Sequence, residues 1–387
     1  LKVNIDSKKI EKFVDLLPFE LTSSQNLVIG EIMNDLKDDS TMNRLLQGDV
    51  GSGKTVVALI AALAMVLDGY QVAFMAPTEI LAQQHYATLY RLFSFGEIIE
   101  SEENFVVLHL PGFDNRITIG LLIGSIKQSS RKYIVGKLND NQIDIIVGTH
   151  ALIQKDIRIP KMGLAVVDEQ HRFGVQQRAA LRNKGENPNL LVMSATPIPR
   201  SLNLTVYGDL DISILKELPV GRKEIKTVFI NDEDRIKAYE FTRQQVEKGR
   251  QAFVLCPLIE ESEILQTKAA TEEYGKLVSE IYPELNVGLL HGRMKLIEKE
   301  QVMIEFQNHN IDILVCTPVI EVGIDIPNAT VMIIDGADRF GLAQLHQIRG
   351  RVGRGEFQSY CVLISDAPSE NAQIRLKFLE SSNDGFE

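Results

Sequence analysis

Eight consecutive residues, Gly48-Asp49-Val50-Gly51-Ser52-Gly53-Lys54-Thr55, carry the most specific chemistry in the chain, because they match the spacing G-x-x-x-x-G-K-[ST]. Glycines at this spacing let successive backbone N–H groups point inward around a polyphosphate, Lys54 neutralises the charge of its terminal phosphates, and the Thr55 hydroxyl offers an oxygen to Mg2+. The apolar pair Leu45 and Leu46 leads in and residues 56–66 lead out with helical apolar character, so the pattern reads strand, turn, helix. The helix start then adds the positive end of its dipole to the cradle. A glycine-rich turn that binds nothing is the plain alternative. The loop indicates a nucleotide and leaves open what its energy drives.

Carboxylates supply the next candidate. Asp168 and Glu169 follow the apolar Val166 and Val167, and a strand-end aspartate beside a phosphate loop can hold Mg2+ while its neighbour orients an attacking water. Ser194 and Thr196 stand at another strand end, where small hydroxyls can report nucleotide state by switching hydrogen-bond partners; a plain turn explains them as well. Pro77 and Thr78, and Gly148, Thr149 and His150, end two further apolar runs with small or hydroxyl residues suited to close contact with a phosphate chain. Near the C-terminus, Arg349, Arg351 and Arg354 lie among Gly350, Gly353 and Gly355. Arginine forks onto phosphate oxygens, so this cluster reads as a finger for a γ-phosphate, with a basic nucleic-acid or solvent-facing loop as the alternative.

These groups need rigid elements to hold them. Apolar β-branched runs at 44–47, 71–76, 117–122, 143–148, 164–168 and 190–194 predict strands in the first half, and runs at 252–257, 287–291, 311–316, 330–335 and 359–364 predict them in the second. Helical segments between them predict α/β domains with mainly parallel sheets, whose strand-end motifs converge on one cleft. At 387 residues the chain exceeds one ordinary core, and the charged, Pro/Gly-bearing stretch 212–226 is the expected boundary between two domains. The composition, 44% hydrophobic and 24% charged, is that of a globular protein. No apolar run approaches the roughly 20 residues that span a bilayer, and the N-terminus has no apolar signal-peptide core, so a cytoplasmic protein is expected. Cys256, Cys316 and Cys361 lie far apart in apolar surroundings, which reads as buried thiols and gives no metal or disulfide framework. A net charge of −11 argues against a passive nucleic-acid coat but permits a local groove of phosphate-binding groups.

In this order, the phosphate loop, Asp168-Glu169-Gln170-His171, Ser194-Ala195-Thr196, and Gln347 through Arg354 resemble the paired motor domains of helicase superfamily two. The resemblance implies a P-loop NTPase of two tandem RecA-like domains, with ATP between them and nucleic acid across the top. It narrows to the RecG branched-DNA helicases through Pro18-Phe19-Glu20-Leu21-Thr22-Ser23-Ser24-Gln25, Arg172-Phe173-Gly174-Val175, Tyr207-Gly208-Asp209-Leu210-Asp211 and Phe340-Gly341-Leu342-Ala343-Gln344-Leu345-His346-Gln347. The transcription-repair coupling translocase shares much of this and remains the nearest alternative, beside a nucleotide-gated module that grips DNA without net unwinding. What the RecG resemblance implies is an ATP hydrolase that remodels stalled forks and Holliday junctions, as a monomeric motor on duplex DNA.

Position by position, the resemblance implies that Gln25 reads the adenine edge with Phe19 near the base. Gly48, Asp49, Gly51, Ser52, Gly53, Lys54 and Thr55 hold the phosphates, Asp168 the magnesium and Glu169 the water. Gln170, His171, Ser194 and Thr196 couple nucleotide state to the second domain. There Gly323 and Asp325 touch the nucleotide, Arg351 and Arg354 meet its γ-phosphate, and Gln347 supports them. DNA-backbone contacts fall to Pro77, Thr78, Gly148, Thr149, His150, His291, Gly292, Arg293 and Thr317. The implied layout is a linker helix over 1–17, an ATP-binding domain over 18–214, a C-terminal helicase domain over 215–366, and the start of a translocation hairpin over 367–387. Members of the family carry an N-terminal wedge that splits junctions; this sequence begins next to the motor, so a motor fragment with weak ATPase and poor fork unwinding is expected. Pro318 stands where the family usually has a threonine, which removes one hydroxyl and one N–H from the expected DNA contacts.

Overall fold

The computed structural model describes residues 3–114, 116–168, 181, 184–185, 187–194, 210–217, 223–256, 263–318, 326–353, 355–366 and 368–381. The chain divides into two units, Leu1–Val220 and Gly221–Glu387.

In the first unit the buried strands are short runs of branched and aliphatic residues, closed by polar or glycine-bearing turns. In chain order they are β1 (Asn43–Gly48), β2 (Gln71–Met75), β3 (Glu97–Glu102), β4 (Phe105–His109), β5 (Arg116–Leu122), β6 (Ile145–Gly148), β7 (Met162–Asp168), β8 (Asn189–Ser194) and β9 (Asp211–Leu215). They form one sheet in the order β3-β4-β5-β6-β2-β7-β8-β1-β9. Every pairing from β5 to β9 is parallel, while β3, β4 and β5 pair antiparallel. Helix Lys54–Leu67 is buried along almost its whole length, Val56 to Val66, so it is apolar all round rather than amphipathic. Helix Ser7–Asp15, capped by Asp6, seats Phe13 at 0% exposure with its ring 5.4 Å from Phe93 and 5.7 Å from Phe95. Val3, Ile10, Phe13 and Leu17 are thus packed into the core of the first unit.

Among its described residues the second unit has six strands: β10 (Lys226–Ile230), β11 (Gln251–Leu255), β12 (Val287–Leu290), β13 (Ile313–Cys316), β14 (Ala329–Asp335) and β15 (Tyr360–Ile364). Their order is β10-β15-β14-β11-β13-β12, all parallel. This repeats the arrangement of the first unit. There β1, β2, β5, β6, β7 and β8 follow one another in sequence and stand in the spatial order β5-β6-β2-β7-β8-β1, the same order with the list reversed. The core holds Tyr239 and Tyr282, edge to face at 5.9 Å. All three cysteines are buried, and burial pushes the Cys361 thiol up to about 12, so they are inert core residues as expected. C-terminal helix Glu370–Ser381 closes on this unit, its Glu380 Oε1 accepting from Phe229 N at 3.1 Å.

Each predicted strand is present, with ends moved by one or two residues. Four others among the described residues were not foreseen: β3, which is exposed and too polar to read as sheet, β4, a short buried apolar run that pairs with it, and β9 and β10, which overlap the two ends of the stretch taken as a boundary. Because β9 ends at Leu215 and pairs with β1, a boundary at 214/215 would cut a strand; the division falls at Val220/Gly221. Among the described residues no helix is long and apolar enough to cross a membrane.

Candidate functional site

Parallel strands put all their carboxyl ends on one edge of a sheet, and in the first unit the candidate residues collect there. Residues 48–53 connect β1 to helix Lys54–Leu67 through two left-handed glycines, Gly51 at φ 80° and Gly53 at φ 86°. A Cβ at Gly53 would run into Gln25 Nε2, and one at Gly48 would stand 2.6 Å from Ser52 Oγ and 2.9 Å from Leu215 Cβ. Glycine is therefore required twice over, for backbone conformation and for close approach. Lys54 Nζ bends back to the carbonyls of Gly48 (2.7 Å) and Asp49 (2.8 Å), which stations the ammonium within the loop. The buried Ser52 hydroxyl has no hydrogen-bond partner among the described residues, an unmet polar group in the cradle.

Gln25 holds this loop from outside. Thr22 and Gln25 form a capping box on helix Ser23–Lys37, with Gln25 Oε1 accepting from Thr22 N at 2.9 Å. Its Nε2 donates to Ser52 O at 2.8 Å, and the residue is 2% exposed. The amide expected to read a base thus has both ends engaged within the protein, which makes it an anchor of the loop. Phe19 is 44% exposed nearby in sequence.

The register fixes where the other groups fall. β8 lies between β1 and β7, pairing Gln47 with Ser194 and Asp168 with Met193. Asp168 therefore stands two strands from the loop, and buried Ser194 ends the strand between them. Asp168 Oδ2 meets His85 Nε2 at 2.8 Å. The Asp168 carboxylate and the Thr55 hydroxyl are hard oxygen donors on one sheet edge, the donor type that suits Mg2+, which takes few protein ligands and completes its shell with phosphates and water.

Farther along the edge, Ala76 N donates to Gly148 O at 2.9 Å, making Pro77 and Thr78 neighbours of Thr149 and His150. Thr78 caps helix Glu79–Leu92 by accepting from Leu81 N at 3.4 Å. Thr149 is 1% exposed with its Oγ1 unpartnered among the described residues, while His150 is exposed. β2 and β1 are three strand spacings apart, so this patch and the phosphate loop are separated by about 14 Å.

The second unit places a matching patch at the same topological position. Thr317 follows β13, as Thr149 follows β6, and its N–H donates to Leu290 O at 3.1 Å. It is 2% exposed and its Oγ1 is also unpartnered among the described residues. His291 follows the adjacent β12; burial, then Lys299 and Arg293, hold its imidazole below the usual range, so it is neutral at pH 7. Lys299 Nζ donates to Gly292 O at 2.6 Å, and Arg293 is exposed. Where the first unit has its phosphate loop, the second has Asn231-Asp232-Glu233-Asp234, which would repel phosphate. The counterpart of Asp168 is Asp335, and Arg235 neutralises it at 2.6 Å.

The arginine cluster separates by role. Arg349, at the end of helix Leu342–Arg349, is 3% exposed, and its guanidinium donates to Leu379 O at 2.9 Å and lies 3.0 Å from His346 Nε2. It braces the C-terminal helix, which a count of arginines could not reveal. Arg351, 8% exposed, follows in the turn that contains left-handed Gly353, and Gln347 is half-buried on the helix. Glu169, Gln170, His171, Thr196, Gly323, Asp325 and Arg354 lie outside the described residues, as do 172–175, 207–209 and 218–222. His85 was missed altogether; a histidine one residue after two glutamines on a helix gives little signal.

Residues 22–205 match the DEAD/DEAH box helicase family and residues 235–356 the helicase conserved C-terminal domain. The ATP-dependent DNA helicase RecG of Synechocystis sp. is 52% identical over 377 residues, 97% of this chain and 43% of its own length. RecG of Thermotoga maritima is 50% identical over 99% of this chain and 46% of its own, and RecG of Bacillus subtilis 46% identical over 100% and 54%. The chain thus spans about half the length of the curated relatives it matches. A solved RecG bound to a three-way DNA junction superposes with a TM-score of 0.84 at 46% identity, covering 100% of this chain and 48% of that one. Saccharomyces cerevisiae Dbp5, solved with RNA and ADP BeF3, is similar in fold at a TM-score of 0.64 and 18% identity, covering 98% of this chain and 92% of its own. Both units have the RecA-like fold of these helicases.

Proposed function

The chain belongs to the RecG family of helicases, and from that premise we propose that it is an ATP-driven DNA motor that remodels branched junctions in recombination and repair. The observation that carries the reading is the cradle of residues 48–53 with Lys54 inside it, on the same sheet edge as Asp168. In this proposal the loop N–H groups and Lys54 hold the nucleotide phosphates. Lys54 exchanges its two carbonyl partners for phosphate oxygens when nucleotide enters. Thr55 and Asp168 would hold Mg2+, which would supply charge neutralisation to the nucleotide phosphates. Glu169 orients the attacking water, and Phe19 lies on the base side with Gln25 behind the loop.

Gly323, Asp325, Gln347, Arg351 and Arg354 serve the same nucleotide from the second unit, the arginines supplying charge to the γ-phosphate as it leaves. Gln170, His171, Ser194 and Thr196 couple its state to DNA grip. The two patches, Pro77, Thr78, Gly148, Thr149 and His150 in one unit and His291, Gly292, Arg293 and Thr317 in the other, contact DNA phosphates. Their unpartnered hydroxyls support this, because a buried donor without a partner is costly and a phosphate oxygen would satisfy it. Such contacts are sequence-independent and weaken with salt. The motor acts as a monomer in the cytoplasm. Glu169→Gln tests the catalytic assignment: ATP binding should persist while hydrolysis falls to background, and continued turnover would reject Glu169 as the base.

A further inference from the structure

Helix Glu79–Leu92 contributes a residue to the metal side of the site that no motif announces. His85 on this helix is 8% exposed, with its ring 6.0 Å from that of Phe74 on β2 and its Nε2 2.8 Å from Asp168 Oδ2 on the adjoining β7. An ionised carboxylate only accepts hydrogen bonds, so Nε2 carries the proton and donates. Both side chains are shielded, at 10% and 13% exposure, and a charge-assisted hydrogen bond between shielded groups is short and directional. A terminal carboxylate torsion is otherwise broad, and a donor fixed on one oxygen narrows it.

We propose that His85 is a positioning residue that sets the orientation of the Asp168 carboxylate for Mg2+ bound with nucleotide. The proposal rests on the nucleotide reading above. Carboxylates that ligate metals are held by outer hydrogen bonds of this kind, and losing one typically costs 10- to 100-fold in metal affinity or activity. The second unit offers the contrast: its equivalent carboxylate, Asp335, is bound by the permanently charged Arg235, and no phosphate loop stands beside it.

The test measures binding of a non-hydrolysable ATP analogue to the whole chain, in Mg2+ and in EDTA, for the wild type and for His85→Leu, His85→Asn and His85→Gln. Leucine keeps volume without a donor, asparagine keeps a donor too short to reach, and the glutamine amide replaces Nε2. The leucine and asparagine variants should lose about 10-fold or more of the Mg2+-dependent gain in affinity, with binding in EDTA within about 2-fold of wild type, and glutamine should restore the gain. If leucine does not fold, asparagine carries the same comparison. Wild-type Mg2+ dependence in the leucine or asparagine variant overturns the positioning role, as does equal loss in EDTA, which marks a merely structural pin. Absence of nucleotide binding in the wild type overturns the nucleotide reading itself, and the role of His85 with it.

Discussion

Gln25→Ala offers a quantitative test of how the phosphate loop is held before any nucleotide arrives. The substitution removes the bond from Gln25 Nε2 to Ser52 O and the bond from Thr22 N to Gln25 Oε1. The second is half of a capping box, and its loss costs about 0.5–1.5 kcal/mol. The first is worse: Ser52 is 1% exposed, so its carbonyl is left buried without that donor, at about 1–3 kcal/mol. The expected destabilisation of the first unit is about 1.5–4.5 kcal/mol, or roughly 3–18 °C in its melting temperature for a domain of this size. Gln25→Glu keeps the acceptor for Thr22 N but sets a buried carboxylate oxygen against the Ser52 carbonyl, so it should be less stable than the alanine variant. Scanning calorimetry of nucleotide-free protein reads both. An alanine variant destabilised by less than about 1 kcal/mol, or a glutamate variant more stable than alanine, would refute the claim that Gln25 anchors the loop.

Burial pushes the Asp144 carboxyl from 3.8 up to about 6, against the opposing pull of the Thr118 N–H 2.8 Å away. Because the folded value is the higher one, this contribution favours the fold below about pH 4 and is lost as pH rises through about 6; Asp144→Asn should stabilise by up to about 3 kcal/mol at pH 7.5 and little at pH 4, measured by urea titration. Arg349→Met should lower the stability of the second unit by about 2–3 kcal/mol, since Leu379 O loses a buried charged donor, whereas Arg351→Ala should abolish ATP turnover, as read by phosphate release. Thr149→Val and Thr317→Val should leave thermal stability unchanged or slightly raised, because each removes an unpartnered buried hydroxyl. The same two variants should weaken DNA binding roughly 3- to 10-fold by fluorescence anisotropy, the loss of a hydrogen bond worth about 1 kcal/mol.

The parallel core was legible because its strands are unbroken apolar runs, and the nucleotide cradle because glycine spacing dictates backbone conformation directly. Strands β9 and β10 were hidden since Asp211–Leu215 and Lys226–Ile230 are short, each begins with a charged residue, and they flank a charged Pro/Gly-bearing turn, which locally outweighs their β-branched residues. Gln25 was legible as a candidate only through the family resemblance of residues 18–25, and its bond to Ser52 O spans 27 residues and depends on how the helix docks on the loop. His85 and Arg349 were opaque for the same reason: their partners, Asp168 and Leu379, come from distant chain. The matching positions of Thr149 and Thr317 emerge only when the strand orders of the two sheets are compared.

If the proposed function is right, nucleotide hydrolysis in this chain depends on DNA. Steady-state ATP hydrolysis in Mg2+ without DNA and with single-stranded, duplex and forked DNA of equal nucleotide content tests it most directly, with Lys54→Ala as the control. The expected result is a low rate without DNA, stimulation that is greatest with forked DNA and falls with salt, and loss of all hydrolysis in the control. A rate indifferent to DNA, or hydrolysis that survives Lys54→Ala, would contradict it.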